Sequence, residues 1–119
     1  MNVPDEDIIS LFSYGTLRQA NVQRATFGRL LEGRPDRLPG YVLADVAIEN
    51  PDVIETSGIE IHTIARRTDD PADLVPGLVL DITQAELEAA DRYETGAYAR
   101  VEVQLESGAK SFVYVEAGG

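Results

Sequence analysis

Residues 75–106 read strand, helix, strand, and that order limits the fold more than any other feature of the chain. Thr83 and Glu86 form a T-x-x-E capping box, in which each side chain satisfies the other residue's free backbone N–H. Leu, Ala, Glu and Gln fill the next turns, and Gly96 is placed to end the helix soon after Glu94. Upstream, residues 75–82 are apolar, with Pro76 and Gly77 near the start. Downstream, Ala99, Val101, Val103 and Leu105 alternate with Tyr98, Arg100, Glu102 and Gln104, the period of a half-buried strand.

Further strands are expected at residues 8–14, 41–48 and 112–115, where apolar residues run together between turn signals. At 59–64, Ile59, Ile61 and Thr63 alternate with Glu60, His62 and Ile64, which suggests a half-exposed strand. Residues 21–31 are ambiguous: Val22, Ala25, Phe27 and Leu30 fit one side of a short helix, but Gly28 weakens it. Two prolines and two glycines mark 32–40 as a loop, Asn-Pro and Ser-Gly make 49–58 turn-like, and 66–73 reads as a charged loop. About six strands with one main helix and short flanking helices make an α+β fold. Loops rather than helices separate most strands, so a small mixed six-stranded β-barrel is expected, with the helix packed against it.

The 119 residues suit a single domain, with 1–7 as a loose lead-in. An apolar fraction of 44% is enough for a core. The absence of cysteine excludes disulfides, thiolate metal sites and cysteine nucleophiles. No histidine or cysteine cluster points to a metal, and no cofactor is expected. A net charge of −11 repels phosphate backbones and anionic membranes, so neither nucleic acid nor membrane is an expected partner. With no signal peptide and no apolar span of membrane length, a cytoplasmic location is expected. Oligomeric state cannot be read from the sequence.

Two positions stand out chemically. On a helix over 83–94, Leu87, Ala90 and Tyr93 share one broad side, Glu88 and Arg92 the other, and Glu94 projects into the apolar stripe. A carboxylate there meets both the negative end of the helix and burial, and both raise its pKa. That suits a general acid or base. The plainer reading is that the helix frays and Glu94 points into water. The second position is FSYGTLR, residues 12–18. A strand ending at Tyr14-Gly15 turns successive backbone N–H groups outward, an arrangement that holds anions, and Arg18 can add a charge-assisted contact. An ordinary turn with a surface arginine is the competing account. Tyr93 reads as core packing with a tethered hydroxyl, and the lone His62 as a surface residue.

Taken together, FSYGTLR after a first strand, VPGLVLDI before the helix, ADRYETGAYAR across its end and SFVYV near the C-terminus resemble the γ-glutamylcyclotransferase-like superfamily of the AIG2-like type. The resemblance runs over roughly residues 8–115 and is loose at 20–70. It implies a mixed barrel of about six strands, no cofactor and a small γ-glutamyl substrate. It also implies that the loop Tyr14, Gly15, Thr16 and Leu17 binds the γ-glutamyl part through backbone amides and that Glu94 is the acid/base. Tyr98 and Arg100 match the family's Y-x-R motif and share a strand face, either as a pocket wall or as a structural hydrogen bond and ion pair. The implied reaction closes a γ-glutamyl amine or γ-glutamyl amino acid to 5-oxoproline and releases the amine. A non-catalytic small-ligand module on the same fold and a purely structural interaction domain are the competing readings.

Overall fold

The computed structural model describes residues 8–47, 51–58, 61–94 and 98–117. In chain order these form β1 (Ile9–Ser13), a single 3-10 turn (Thr16–Arg18), α1 (Ala20–Phe27), β2 (Gly33–Pro39) and β3 (Tyr41–Ala47). Then follow α2 (Pro51–Ser57), β4 (Ile61–Arg67), β5 (Leu74–Ile82), α3 (Gln84–Tyr93), β6 (Tyr98–Gln104) and β7 (Lys110–Glu116).

The fold is mixed α+β, and the described strands number seven, where about six were expected, and pair into two sheets. A five-stranded sheet has the order β2-β5-β1-β7-β6, and β3 pairs with β4 in a second sheet. All pairs are antiparallel except β1 with β7. Strand β1 lies at the centre, with Leu11 beside Leu80 on one side and beside Phe112 on the other.

Alternation along the central strands feeds two cores, one on each sheet face. Leu11, Leu80 and Ile82 pack with Leu17, Val22, Val53, Leu87, Ala90 and Tyr93 beneath the helices. Phe12, Val79, Val113 and Val115 pack on the opposite face with Leu38, Ala65 and Leu105. Each buried Val, Leu, Ile or Phe among them contributes about 1.5–3 kcal/mol by leaving water. The chain passes between the sheets at Gly40, whose φ of 84° suits glycine. Its N–H donates to Asp73 O at 2.8 Å, and its carbonyl accepts from Thr68 N at 2.9 Å. This corner folds β3 and β4 over the sheet so that β4 contacts β7.

Several expectations are corrected. Residues 33–39 form β2, not a loop, in full register with β5 from Gly33↔Leu80 to Pro39↔Leu74. It is an edge strand, where Pro35 and Pro39 are tolerated because one ladder is enough. Residues 51–57 form α2, not a turn, with Pro51 at the first helical position, where its missing N–H costs nothing. The ambiguous stretch is α1, ended by Gly28 at φ 73°, and Leu30 lies exposed beyond it. In β4 the inward face is the reverse of the one expected: Ile61 is exposed, while His62 and Ile64 are buried. Arg66 and Arg67 belong to β4 rather than to a loop. Ile59, Glu60, Gly96 and the lead-in 1–7 lie outside the described residues.

The capping box forms as expected. Thr83 Oγ1 accepts from Glu86 N at 3.2 Å, and Glu86 Oε1 accepts from Thr83 N at 2.9 Å. Glu86 also takes Arg29 in a bidentate pair at 2.7 and 2.9 Å, which ties the end of α1 to the start of α3.

Candidate active site

Strand β1 leaves the sheet centre at Ser13 and delivers Tyr14, Gly15 and Thr16 into a tight turn. Arg18 N donates to Gly15 O at 3.1 Å and Gln19 N to Thr16 O at 2.9 Å. The turn is pinned from below by buried Gln23, whose Nε2 donates to Leu17 O at 3.0 Å and whose Oε1 accepts from Leu31 N at 2.9 Å. Leu17 is itself buried among the helices. Gly15 has φ −126° and ψ −144°, so its φ lies outside the left-handed region. A Cβ at this position would face Thr63 Oγ1 at 3.8 Å. The missing side chain therefore leaves space.

That space is a cavity lined by residues 12–17, His62, Thr63, Glu94, Tyr98 and Tyr114. Its free volume is about 20 Å3 measured at the centres of water-sized spheres, room for about one water.

Helix α3 ends at Tyr93, and Glu94 is its C-cap, with its N–H donating to Ala90 O at 2.8 Å. Residue 94 as a whole is half-buried, yet its carboxyl group is desolvated, and burial pushes its pKa up to about 8. The protonated, neutral form therefore predominates at pH 7.

The surrounding tyrosines do not titrate in this range. Burial raises the phenols of Tyr14, Tyr98, Tyr93 and Tyr114, and the nearby Glu94 charge pushes each in the same direction. They serve as fixed hydrogen-bonding groups. Tyr14 Oη donates to Tyr114 O at 2.5 Å and accepts from Ala65 N at 2.9 Å. Tyr98 Oη donates to Thr63 O at 2.9 Å. Thr16 Oγ1 and Tyr93 Oη are 2.6 Å apart, so the turn is bonded to the residue preceding Glu94.

Of the residues singled out in the sequence, Tyr14, Gly15, Thr16, Leu17, Glu94 and Tyr98 meet at this one cavity. Arg18 and Arg100 do not line it. Arg18 is exposed, and its Nε donates to Gly15 O at 3.2 Å. Arg100 pairs with Asp91 at 3.4 Å and lies 5.0 Å over the Phe112 ring, the structural alternative for this position. Asp91 also accepts from Tyr114 Oη at 2.7 Å. His62 is a correction: it is buried and lines the cavity. The alternation of its strand pointed the wrong way, so no sequence signal exposed it. Among the described residues no group of acidic or histidine side chains could hold a metal, and no helix is long and apolar enough to cross a membrane.

Comparison with known proteins bears on this arrangement. The sequence profile of the family described as gamma-glutamyl cyclotransferase, AIG2-like, matches residues 11–118. A search of curated proteins returns no match. Among solved structures, a protein from Arabidopsis thaliana is similar with a TM-score of 0.68 and 22% identity, over 98% of this chain and 66% of that one. A gamma-glutamyl cyclotransferase is similar with a TM-score of 0.69 and 15% identity, over 93% of this chain and 68% of that one. An allophanate hydrolase from Kluyveromyces lactis matches with a TM-score of 0.70 and 12% identity, over 94% of this chain but 18% of its own. At these identities the likeness to solved structures is one of fold. The first of these structures is longer, and this chain spans about two thirds of it. With the profile covering nearly all of the sequence, the chain belongs to the AIG2-like gamma-glutamyl cyclotransferase family.

Proposed function

We propose that this chain cyclises a small γ-glutamyl amine or γ-glutamyl amino acid, with Glu94 as general acid and base. The substrate's α-amine attacks its own γ-carbonyl. The new C–N bond closes a five-membered lactam, the old amide C–N bond breaks, and 5-oxoproline and an amine leave. Nucleophile and electrophile are already in one molecule, so the site has only to fold the substrate and move a proton.

The observation that carries this reading is a desolvated carboxyl, with a pKa of about 8, across a small cavity from the Tyr14–Leu17 segment. The substrate's α-ammonium shares its carbon with a free carboxylate, as in a free amino acid, and must lose a proton before it can attack. A Glu94 pKa close to neutrality lets the carboxyl take up and return a proton at ordinary pH, the condition in which acid/base catalysis works best. In its ionised form Glu94 accepts the amine's proton during attack, and as the acid it returns that proton to the departing nitrogen. The Gly15–Leu17 backbone holds the γ-glutamyl part, and Tyr98 closes the far wall. A γ-glutamyl chain is larger than the empty cavity, so wall side chains shift on binding.

The test is incubation of the pure protein with a panel of γ-glutamyl dipeptides and γ-glutamyl amines, followed by measurement of 5-oxoproline. Release from at least one substrate, abolished in Glu94→Gln, is the expected result. No release from any substrate at high protein concentration removes the proposal.

A further inference from the structure

Strand β4 breaks the usual rule of what faces in. Ile61 is 55% exposed, and the next residue, His62, is 5% exposed. Putting an isoleucine in water and a histidine in the interior is unfavourable on both counts. Such a local violation marks a position held for another reason. His62 reaches the same cavity as Glu94 and Gly15.

The electrostatics of that cavity supply a reason. The protein carries a net charge of −11. Among the described residues, no lysine or arginine lines the cavity, since Arg18 and Arg100 are engaged elsewhere. Tyr14, Tyr98 and Tyr114 offer only phenols, and Glu94 offers only a carboxyl. His62 is the one lining side chain able to carry a positive charge.

Its ring is also held in place. Nε2 is 3.1 Å from Ser57 Oγ, and that hydroxyl donates to Val53 O at 2.9 Å. Which of the two atoms donates follows the imidazole tautomer, and protonation of the ring gives the imidazolium. The Ser57 side chain also bonds the Tyr93 hydroxyl, which in turn meets Thr16. The imidazole is thus connected through hydroxyl groups to the turn that follows β1.

We propose that His62 contacts the ligand and sets the site's preference for small molecules bearing a carboxylate, its imidazolium pairing with that group while Glu94 meets the ligand's amine. This rests on the reading of the cavity as the substrate site. It adds a residue and a recognised group to that reading.

His62 is the chain's only histidine, so its imidazole nitrogens give unambiguous signals in a 15N-labelled sample. The probes are 5-oxoproline and 2-pyrrolidinone, the same ring without the carboxylate. On titration, 5-oxoproline should move the His62 nitrogens towards the imidazolium pattern and bind at least about tenfold more tightly than 2-pyrrolidinone. In His62→Gln that preference should fall to within about twofold. The proposal is overturned by unmoved His62 signals at high 5-oxoproline, by an undiminished preference in His62→Gln, or by failure of 5-oxoproline to bind. If circular dichroism shows His62→Gln unfolded, the wild-type signals decide alone. Turnover measured in parallel separates the two proposals. Carboxylate-dependent His62 shifts without any 5-oxoproline release uphold His62 and remove the reaction. Release with an undiminished preference in His62→Gln does the opposite.

Discussion

Tyr14 donates its hydroxyl proton to the carbonyl of Tyr114 at 2.5 Å, across 100 residues of sequence. The same oxygen accepts the amide of Ala65 on β4, so one phenol joins the two sheets at the point where β1 turns into the cavity. Tyr14→Phe removes both bonds and leaves buried polar groups short of a partner. It should lower stability by about 1–3 kcal/mol. Chemical denaturation checks this, and an unchanged midpoint would show that the two sheets are held without it.

Glu94→Gln keeps the shape of the side chain and removes the proton. Turnover of any γ-glutamyl substrate should drop by about 10²–10⁴-fold, the range for loss of a general acid/base. Steady-state assays on folded protein measure it, and retained activity would take Glu94 out of the mechanism.

The same carboxyl should leave a mark on stability. Its pKa is about 8 in the folded chain against an ordinary 4.5. Between those values the folded state keeps a proton that the unfolded state has lost, so raising the pH favours unfolding. Stability should fall from about pH 4.5 to about pH 8, by on the order of a few kcal/mol, and level off above. Glu94→Gln should flatten that decline. Parallel slopes for the two proteins in pH-dependent denaturation would place the carboxyl in contact with water.

At Gly15 the φ is not left-handed and the nearest atom to an added Cβ is Thr63 Oγ1 at 3.8 Å. Gly15→Ala should therefore fold with a stability change within about 1 kcal/mol. The added methyl occupies a cavity of only about 20 Å3, so binding of 5-oxoproline should weaken sharply, read by calorimetry. Unchanged binding would mean that ligands do not enter there.

Gly77 differs in kind. A Cβ there would lie 2.5 Å from Ser13 O and 2.7 Å from Phe12 Cζ. Gly77→Ala must push β1 away from β5 just ahead of the cavity. A loss of about 1–3 kcal/mol is expected from overpacking. A crystal structure of the variant should show the end of β1 displaced.

The sequence exposed the cavity's anchor points better than its walls. The Thr83–Glu86 box is local chemistry, and so helix α3 and the place of Glu94 could be read directly. The turn after β1 was marked by Gly15 in the same way. Strand β2 was hidden because two prolines and a glycine normally signal a loop, and only pairing with β5 along its full length makes them a strand. Helix α2 was hidden by Asn-Pro and Ser-Gly at its two ends. His62 reads as a surface residue because the apolar side chains of 59–64 suggest the opposite face of β4, and only packing of β4 against the rest of the fold turns His62 inward. Arg18 stands out by its charge beside the turn and Arg100 by the family's Y-x-R motif, whereas their partners, Gly15 O and Asp91, come from the folded geometry.

The central position of β1 has a consequence for how the chain acquires its structure. Its parallel neighbour β7 comes about 100 positions later, so the middle of the sheet cannot close until nearly all the described residues have been synthesised. Contacts so distant along the chain slow folding. On the ribosome, the first strand must wait with one edge open until its distant neighbour emerges. A nascent chain stalled before residue 110 should therefore be protease-sensitive throughout and unable to bind ligand.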